Sequence, residues 1–179
     1  MHDPVLLGLG ANVGDAMVQL AAAVELIGEI DGVEVTDVSS VYATPPWPPP
    51  GDPRHVPQDE YRNLVVRARA SIGPEARLAA TLELERLLGR DRSREQRWGP
   101  RPIDIDLLLL GDLAYESERL TLPHEQATSR RFVLIPLLEL DFDLQAPDGT
   151  RLSEAFEELG FEEGVRREGD PLTVAGPAA

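Results

Sequence analysis

Two hydrophobic periods alternate along this chain, and their order leaves few folds open. Val5 to Leu9 is a short apolar run closed by Gly10, the pattern of a buried strand. Met17, Leu20, Ala21, Val24 and Ile27 then recur at helical spacing, with Asp15 placed to cap the helix and Gly28 to stop it. Val33 to Tyr42 alternates and is rich in β-branched residues, which predicts a strand. Arg62 to Ala70 alternates too: Leu64, Val66, Ala68 and Ala70 oppose Asn63, Val65, Arg67 and Arg69, as in a half-buried strand. Pro74 opens a second helix carrying Leu78, Leu82, Glu85 and Leu88, closed by Gly89. Ile103 to Leu110 is the last strong strand. The order β-α-β-β-α-β predicts an α+β, ferredoxin-like fold: a four-stranded antiparallel sheet with two helices on one face. Weaker helical signals follow at 132–140 and 153–159, and seven prolines make a loop between Pro45 and Pro57. The chain reads as one domain over 1–179, with a core of about 5–148 and an acidic C-terminal extension over 149–179. That extension reads as a solvated face ending in a frayed terminus.

Charge and missing residue types narrow the chemistry. There are 32 acids against 17 bases, a net charge of −15, so the overall field opposes nucleic acid and anionic membrane. Every base is Arg, and the absence of Lys excludes a Schiff base and a P-loop lysine. The absence of Cys excludes disulfides, thiolate nucleophiles and thiolate metal sites. The first residues lack the pattern of a signal peptide, and no apolar run is long enough to span a membrane, so the expected location is cytoplasmic.

Asp104 and Asp106 lie two apart in the last strand and therefore share a face, with Ile105 and Leu107 on the other. Carboxylates so close repel unless a cation lies between them, and Mg²⁺ suits such oxygen donors. The spacing alone fits a metal-binding pair and two solvated acids on an edge strand equally well. The preceding segment weighs toward the first. Arg86 to Arg101 holds six Arg and two acids, a local charge of +4 in an acidic chain. Arg90, Arg92 and Arg94 fall beyond the helix stop at Gly89, hence on a loop, and guanidinium groups bind phosphate oxygens in pairs. Arginines beside paired acids suit a metal-bound polyphosphate. Trp98 within the segment is a packing residue or a stacking surface.

Other elements stay open on their own. Gly8-Leu-Gly10-Ala-Asn12-Val-Gly14-Asp15 matches neither dinucleotide nor Walker signatures and reads as a tight turn. His124 lies near Arg130 and Arg131, which allows a phosphate contact. Asn63 offers a donor and an acceptor suited to a heterocycle edge. Tyr61 and Phe132 are core residues or the two sides of a ring sandwich.

Taken in sequence order, Asn12, Thr44-Pro45-Pro46, Tyr61-x-Asn63, Arg97-Trp98-Gly99-Pro100-Arg101 with Asp104-x-Asp106, and Leu122-Pro123-His124 with Arg130-x-Phe132 resemble the 6-hydroxymethyl-7,8-dihydropterin pyrophosphokinases, a folate-pathway family. The resemblance runs from about Val5 to Asp148 and agrees with the fold read from periodicity. It implies transfer of pyrophosphate from ATP to the pterin hydroxymethyl group with release of AMP. It implies two Mg²⁺ ions on Asp104 and Asp106, with Arg90, Arg92 and Arg101 as catalytic phosphate-binding groups. The pterin would meet Thr44, Pro45, Tyr61, Asn63 and Phe132. The nucleotide would meet Glu85, Arg90, Arg92, Trp98, Arg101, Leu107, Arg119, Thr121, His124 and Arg130. ATP and the pterin are the expected partners, with no nucleic acid or membrane, and the chain is expected to act as a monomer. An ordinary metal-dependent kinase or phosphohydrolase, and a ligand-binding regulatory module, are the competing readings.

Overall fold

The computed structural model describes residues 3–160 and 164–173. The part of the expected acidic extension at 161–163 and 174–179 lies outside the described residues. Strand β1 (Asp3–Ala11) is followed by helix α1 (Ala16–Gly28), strands β2 (Val33–Val38), β3 (Val41–Thr44) and β4 (Tyr61–Ala70), and helix α2 (Pro74–Leu87). Then come β5 (Asp104–Leu110), the short hairpin β6 (Tyr115–Glu116) and β7 (Thr121–Leu122), α3 (Arg131–Leu140), α4 (Leu152–Glu158) and β8 (Arg166–Gly169). Asp15 caps α1 as expected: its side chain accepts from the Val18 amide at 3.1 Å.

The fold is mixed α/β around an antiparallel sheet, but that sheet has six strands where four were expected. They run β5-β1-β4-β3-β8, with β2 also on β4. Two physical causes account for the extra strands. First, the expected strand over 33–42 is divided at Ser39 and Ser40. The Ser39 hydroxyl accepts from the Val65 amide at 2.9 Å and so takes a ladder bond that a main-chain carbonyl would make. Ser40 turns its amide and hydroxyl toward Glu139 of α3, at 3.0 and 2.6 Å. Second, the C-terminal segment, expected to be solvated and frayed, returns as β8 and pairs antiparallel with β3 from Val41↔Gly169 to Ala43↔Arg166.

Helices cover both faces of the sheet, which corrects the expectation of one. On the α1/α2 face, Val5, Leu7 and Leu9 of β1 pack with Leu20, Val24, Ile27 and Leu84. On the other, Leu6, Val65, Leu108 and Leu109 meet Leu134, Leu137 and Leu152 from α3 and α4. Helix α2 does not bury the apolar row read from its sequence. Its buried residues are Arg77, Thr81, Leu84 and Glu85. Two buried charges on one helix face require partners, and those of Glu85 lie at the site.

Candidate active site

The α3 face of the sheet carries the site. Gly8 and Gly10 of β1 present no side chain there, and the space is used at once. A Cβ on Gly10 would stand 2.6 Å from Asn63 Oδ1, and one on Gly8 would stand 3.2 Å from Leu108. The glycines thus open a hollow over the middle of the sheet. Asn63 sits in it, its Nδ2 donating to Thr44 Oγ1 at 2.8 Å, which fixes the amide's orientation. The resulting cavity of about 420 Å³ is also lined by Pro45, Tyr61, Trp98, Phe132 and Arg130. Arg90, Arg92, Arg101, Asp104, Asp106 and His124 form its ionisable side.

A second cavity, of about 460 Å³, lies beyond β5 and is lined by Leu78, Leu82, Leu107, Arg119 and Thr121. Arg92, Asp106 and His124 line both cavities and so mark the seam where they meet. Every residue expected from the sequence to touch pterin or nucleotide borders one of the two hollows, except Glu85.

Glu85 lies beneath. It is 1 % exposed, and its carboxylate is fully engaged. Oε1 accepts from Arg90 Nη1 at 2.7 Å and from the Ile105 amide at 2.9 Å. Oε2 accepts from Arg92 Nε and Nη2 at 2.9 and 2.7 Å. One buried carboxylate therefore spaces two arginines and fixes the start of β5. Burial pushes its pKa up, opposed by the Ile105 amide and by Arg90 and Arg92. Asp104 accepts from both Arg90 and Arg101. Burial disfavours its charge, but Arg101 and Arg90 outweigh burial and hold its pKa below the usual carboxylate range. Asp106 has no such guanidinium bond among the described contacts. Burial, then the charges of Asp104 and Glu85, push it up to about 7.

Among the described residues, no group of three or more His, Cys, Asp and Glu forms a metal cage. A hard divalent cation shared with phosphate oxygens does not need one; one or two carboxylates suffice. Asp106, crowded by negative charge and without a guanidinium hydrogen bond among the described residues, beside Asp104 on the same strand face, fits that kind of ion. Arg101 Nε is buried without a partner among the described residues. His124 Nδ1 accepts from the Gln126 amide at 3.1 Å, which places the proton of the neutral ring on Nε2. Burial lowers its pKa, favouring that neutral form.

Two loops roof the first cavity and are latched together. Asn12 Nδ2 donates to Gln58 Oε1 and to the Asp59 carbonyl, both at 2.9 Å, while Asn12 Oδ1 accepts from the Arg101 amide at 2.8 Å. Gln58 Nε2 donates to the Trp98 carbonyl at 2.6 Å, and the Tyr61 hydroxyl donates to the Gly99 carbonyl at 2.9 Å. Trp98 adopts a φ of 61°, the left-handed region that a side chain disfavours. Arg97 and Arg54 flank its ring at 4.4 and 5.2 Å. Sequence reasoning missed Gln58 and Glu95, which carry no local motif, and the latch role of Asn12. Arg94, expected on the arginine loop, points away and pairs with Asp91.

A divided cleft with cations and carboxylates at its division is the apparatus of a phosphoryl-group transferase, which works by positioning and charge neutralisation. The chain belongs to the 7,8-dihydro-6-hydroxymethylpterin-pyrophosphokinase (HPPK) family, whose model matches residues 6–142. It is 44 % identical over 138 residues to the 2-amino-4-hydroxy-6-hydroxymethyldihydropteridine pyrophosphokinase of Methylorubrum extorquens, covering 77 % of this chain and 82 % of that protein. The Pseudomonas aeruginosa enzyme of the same name is 34 % identical over 167 residues, 93 % of this chain and 98 % of that one. Among solved structures, a Plasmodium falciparum HPPK-DHPS superposes with a TM-score of 0.67 at 14 % identity. The match covers 88 % of this chain and 45 % of the Plasmodium chain, and it speaks for the fold alone.

Proposed function

We propose that this chain transfers pyrophosphate from ATP to the hydroxymethyl group of 6-hydroxymethyl-7,8-dihydropterin, releasing AMP, as a step of folate biosynthesis. The observation that carries the reading is the seam: two cavities, one with a fixed amide and aromatic walls, joined where Arg92, Asp106 and His124 serve both. A flat heterocycle fits the first cavity, with Asn63 at its edge and Tyr61 and Phe132 at its faces. The nucleoside fits the second, near Leu107, Arg119 and Thr121. The triphosphate then crosses the seam.

Transfer of the two terminal phosphates as one unit defines the bond changes. The alcohol oxygen bonds to the β-phosphorus and its proton is released to the medium, while the bridge between α and β breaks and its electrons leave on AMP. Arg101 and Arg90 would stabilise the charge that spreads over the phosphoryl oxygens. His124 Nε2–H would donate to a phosphate oxygen, and Trp98 with the latched loops would exclude water from the anhydride. Asp104 and Asp106 would hold Mg²⁺, two ions by family resemblance, which supply Lewis-acid charge to the polyphosphate when bound.

We further infer a ferredoxin-like core beneath the six strands, one domain over 1–179, a monomeric state and a cytoplasmic location. No helix among the described residues is long and apolar enough to cross a membrane. The test is product analysis with ATP and Mg²⁺. AMP formed only when the pterin alcohol is present supports the reading, whereas ADP or free phosphate as the product rejects it.

A further inference from the structure

Arg90 lines the first cavity, yet its guanidinium is already occupied. Its Nε donates to Glu95 Oε1 at 2.6 Å and its Nη2 to Glu95 Oε2 at 2.9 Å, a bidentate pair. Its Nη1 serves both Glu85, at 2.7 Å, and Asp104. Four of the five guanidinium N–H groups are thereby taken by three carboxylates. Arg90 is only 5 % exposed. Two of its partners are built into the framework, Glu85 on α2 and Asp104 on β5. Glu95 differs in that it belongs to the loop between α2 and β5 and lines the first cavity. Its side chain is 19 % exposed, against 1 % for Glu85 and 21 % for Asp104, so what sets it apart is its place on a loop.

We propose that Glu95 is an internal stand-in for phosphate, which occupies the Arg90 fork until a nucleotide displaces it. The carboxylate presents two oxygens to the same edge of the guanidinium that a phosphoryl group would take. A ligand that uses Arg90 must therefore break two charge-assisted bonds before it makes its own. A polyphosphate, with contacts to Arg92, Arg101 and His124 as well, can meet that cost. A ligand bearing a single phosphate draws on fewer of these groups and is held less well. The stand-in also satisfies Arg90 in the unliganded protein, where a buried unpaired cation would be costly. On binding, Glu95 swings outward with its loop, where water solvates it.

This inference rests on the proposed nucleotide site, and a binding measurement separates the two. Calorimetric titration would use a non-hydrolysable ATP analogue bridged by carbon between the α and β phosphorus, with Mg²⁺. If the wild-type protein does not bind the analogue, the nucleotide site itself is wrong. If it does, Glu95→Gln, which removes the competing charge at nearly constant shape, should lower Kd roughly tenfold, about 1.4 kcal/mol. Glu95→Asp, too short for the same bidentate reach, should lower it in the same direction by less, and it decides the matter if the glutamine variant folds poorly. AMP binding should tighten in the Glu95→Gln protein by no more than the ATP analogue does, since a ligand that draws less on Arg90 gains less from its release. A Glu95 that merely orders its loop predicts the opposite. Unchanged or weaker nucleotide binding in these variants would overturn the proposal.

Discussion

At the scale of single residues, the paired aspartates are not equivalent, although their spacing suggests that they are. Strand alternation places both on one face, which was legible from sequence. The neighbours that divide their roles come from a helix and a loop and were not. Asp104 is the shared anchor of Arg90 and Arg101, with 21 % of its side chain exposed. Replacing it by Asn takes the carboxylate partner from Arg101 and one of three from Arg90, so Asp104→Asn should lose both turnover and stability. The stability loss should be about 1–3 kcal/mol, below the full cost of breaking a buried pair because water reaches the group. Asp106, by contrast, is held near 7 by burial and by the charges of Asp104 and Glu85. Asp106→Asn removes that repulsion, so turnover should collapse while Tm stays level or rises. Thermal melts beside AMP release check the pair, and equal Tm shifts in the two variants would contradict the division. Arg101→Ala should cost about 2–4 kcal/mol of transition-state stabilisation, as when one preorganised electrostatic contact is lost. Arg94, with 87 % of its side chain exposed, is the control, and Arg94→Ala should leave kcat/KM unchanged.

At the scale of elements, α3 is the piece that periodicity located and could not place. Its apolar row indicated a helix over 132–140, and Leu134 and Leu137 are indeed fully buried. What sets it against the site face is polar. Glu139 accepts from the Ser40 amide, the Ser40 hydroxyl and the Tyr42 hydroxyl, the last at 3.0 Å. No local pattern announces a carboxylate bound to residues 97 and 99 positions away in sequence. The fastening has a pH signature. Burial, then the hydrogen bond and charge of Glu139, push the Tyr42 hydroxyl from its ordinary value near 10 up to about 12, against the pull of Arg167. The folded state thus holds this proton more tightly than the unfolded chain. Its contribution is complete below pH 10 and is lost between 10 and 12 as the unfolded state alone ionises. The ring is only half-buried, so the loss should stay under about 1 kcal/mol. Denaturant melts at pH 9 and 11.5 should show the stability gap between wild type and Tyr42→Phe shrinking at the higher pH. A gap that stays constant would mean that the hydroxyl does not secure α3.

At the scale of the whole molecule, the chain closes on itself beside its own site. The central strands and α1 were legible because each buries a regular apolar face, whereas α2 was legible from its ends, Pro74 at the start and Gly89 past the stop, since its buried face carries Arg77 and Glu85. The closing strand β8 was not, because its sequence, Arg166 to Gly169, is polar and reads as tail. Its support comes from β3 and from two ion pairs spanning 106 residues. Arg166 holds Glu60, at the end of the proline-rich loop, with Nη1 at 2.8 Å, and Arg62 Nη2 donates to Glu168 at 2.8 Å. At the loop's other end, a Cβ on Gly164 would stand 3.1 Å from Pro45, so the returning chain also rests against the cavity wall. Exposed ion pairs contribute little singly. Strand pairing along β3 makes them part of one brace that fixes Thr44, Pro45 and Tyr61 in place. Ending the chain after Gly160 should therefore do two separable things. It should bare the edge of β3, lowering Tm by several degrees and promoting self-association. It should also raise the KM for the pterin several-fold while leaving the Kd of the Mg²⁺-bound ATP analogue unchanged, since Leu107, Arg119, Thr121 and His124 lie away from the brace. Steady-state kinetics with each substrate varied in turn, alongside calorimetry, reads both effects. A truncated protein with wild-type pterin KM would show that β8 only covers an edge, and a parallel loss of nucleotide affinity would show that the whole site had loosened.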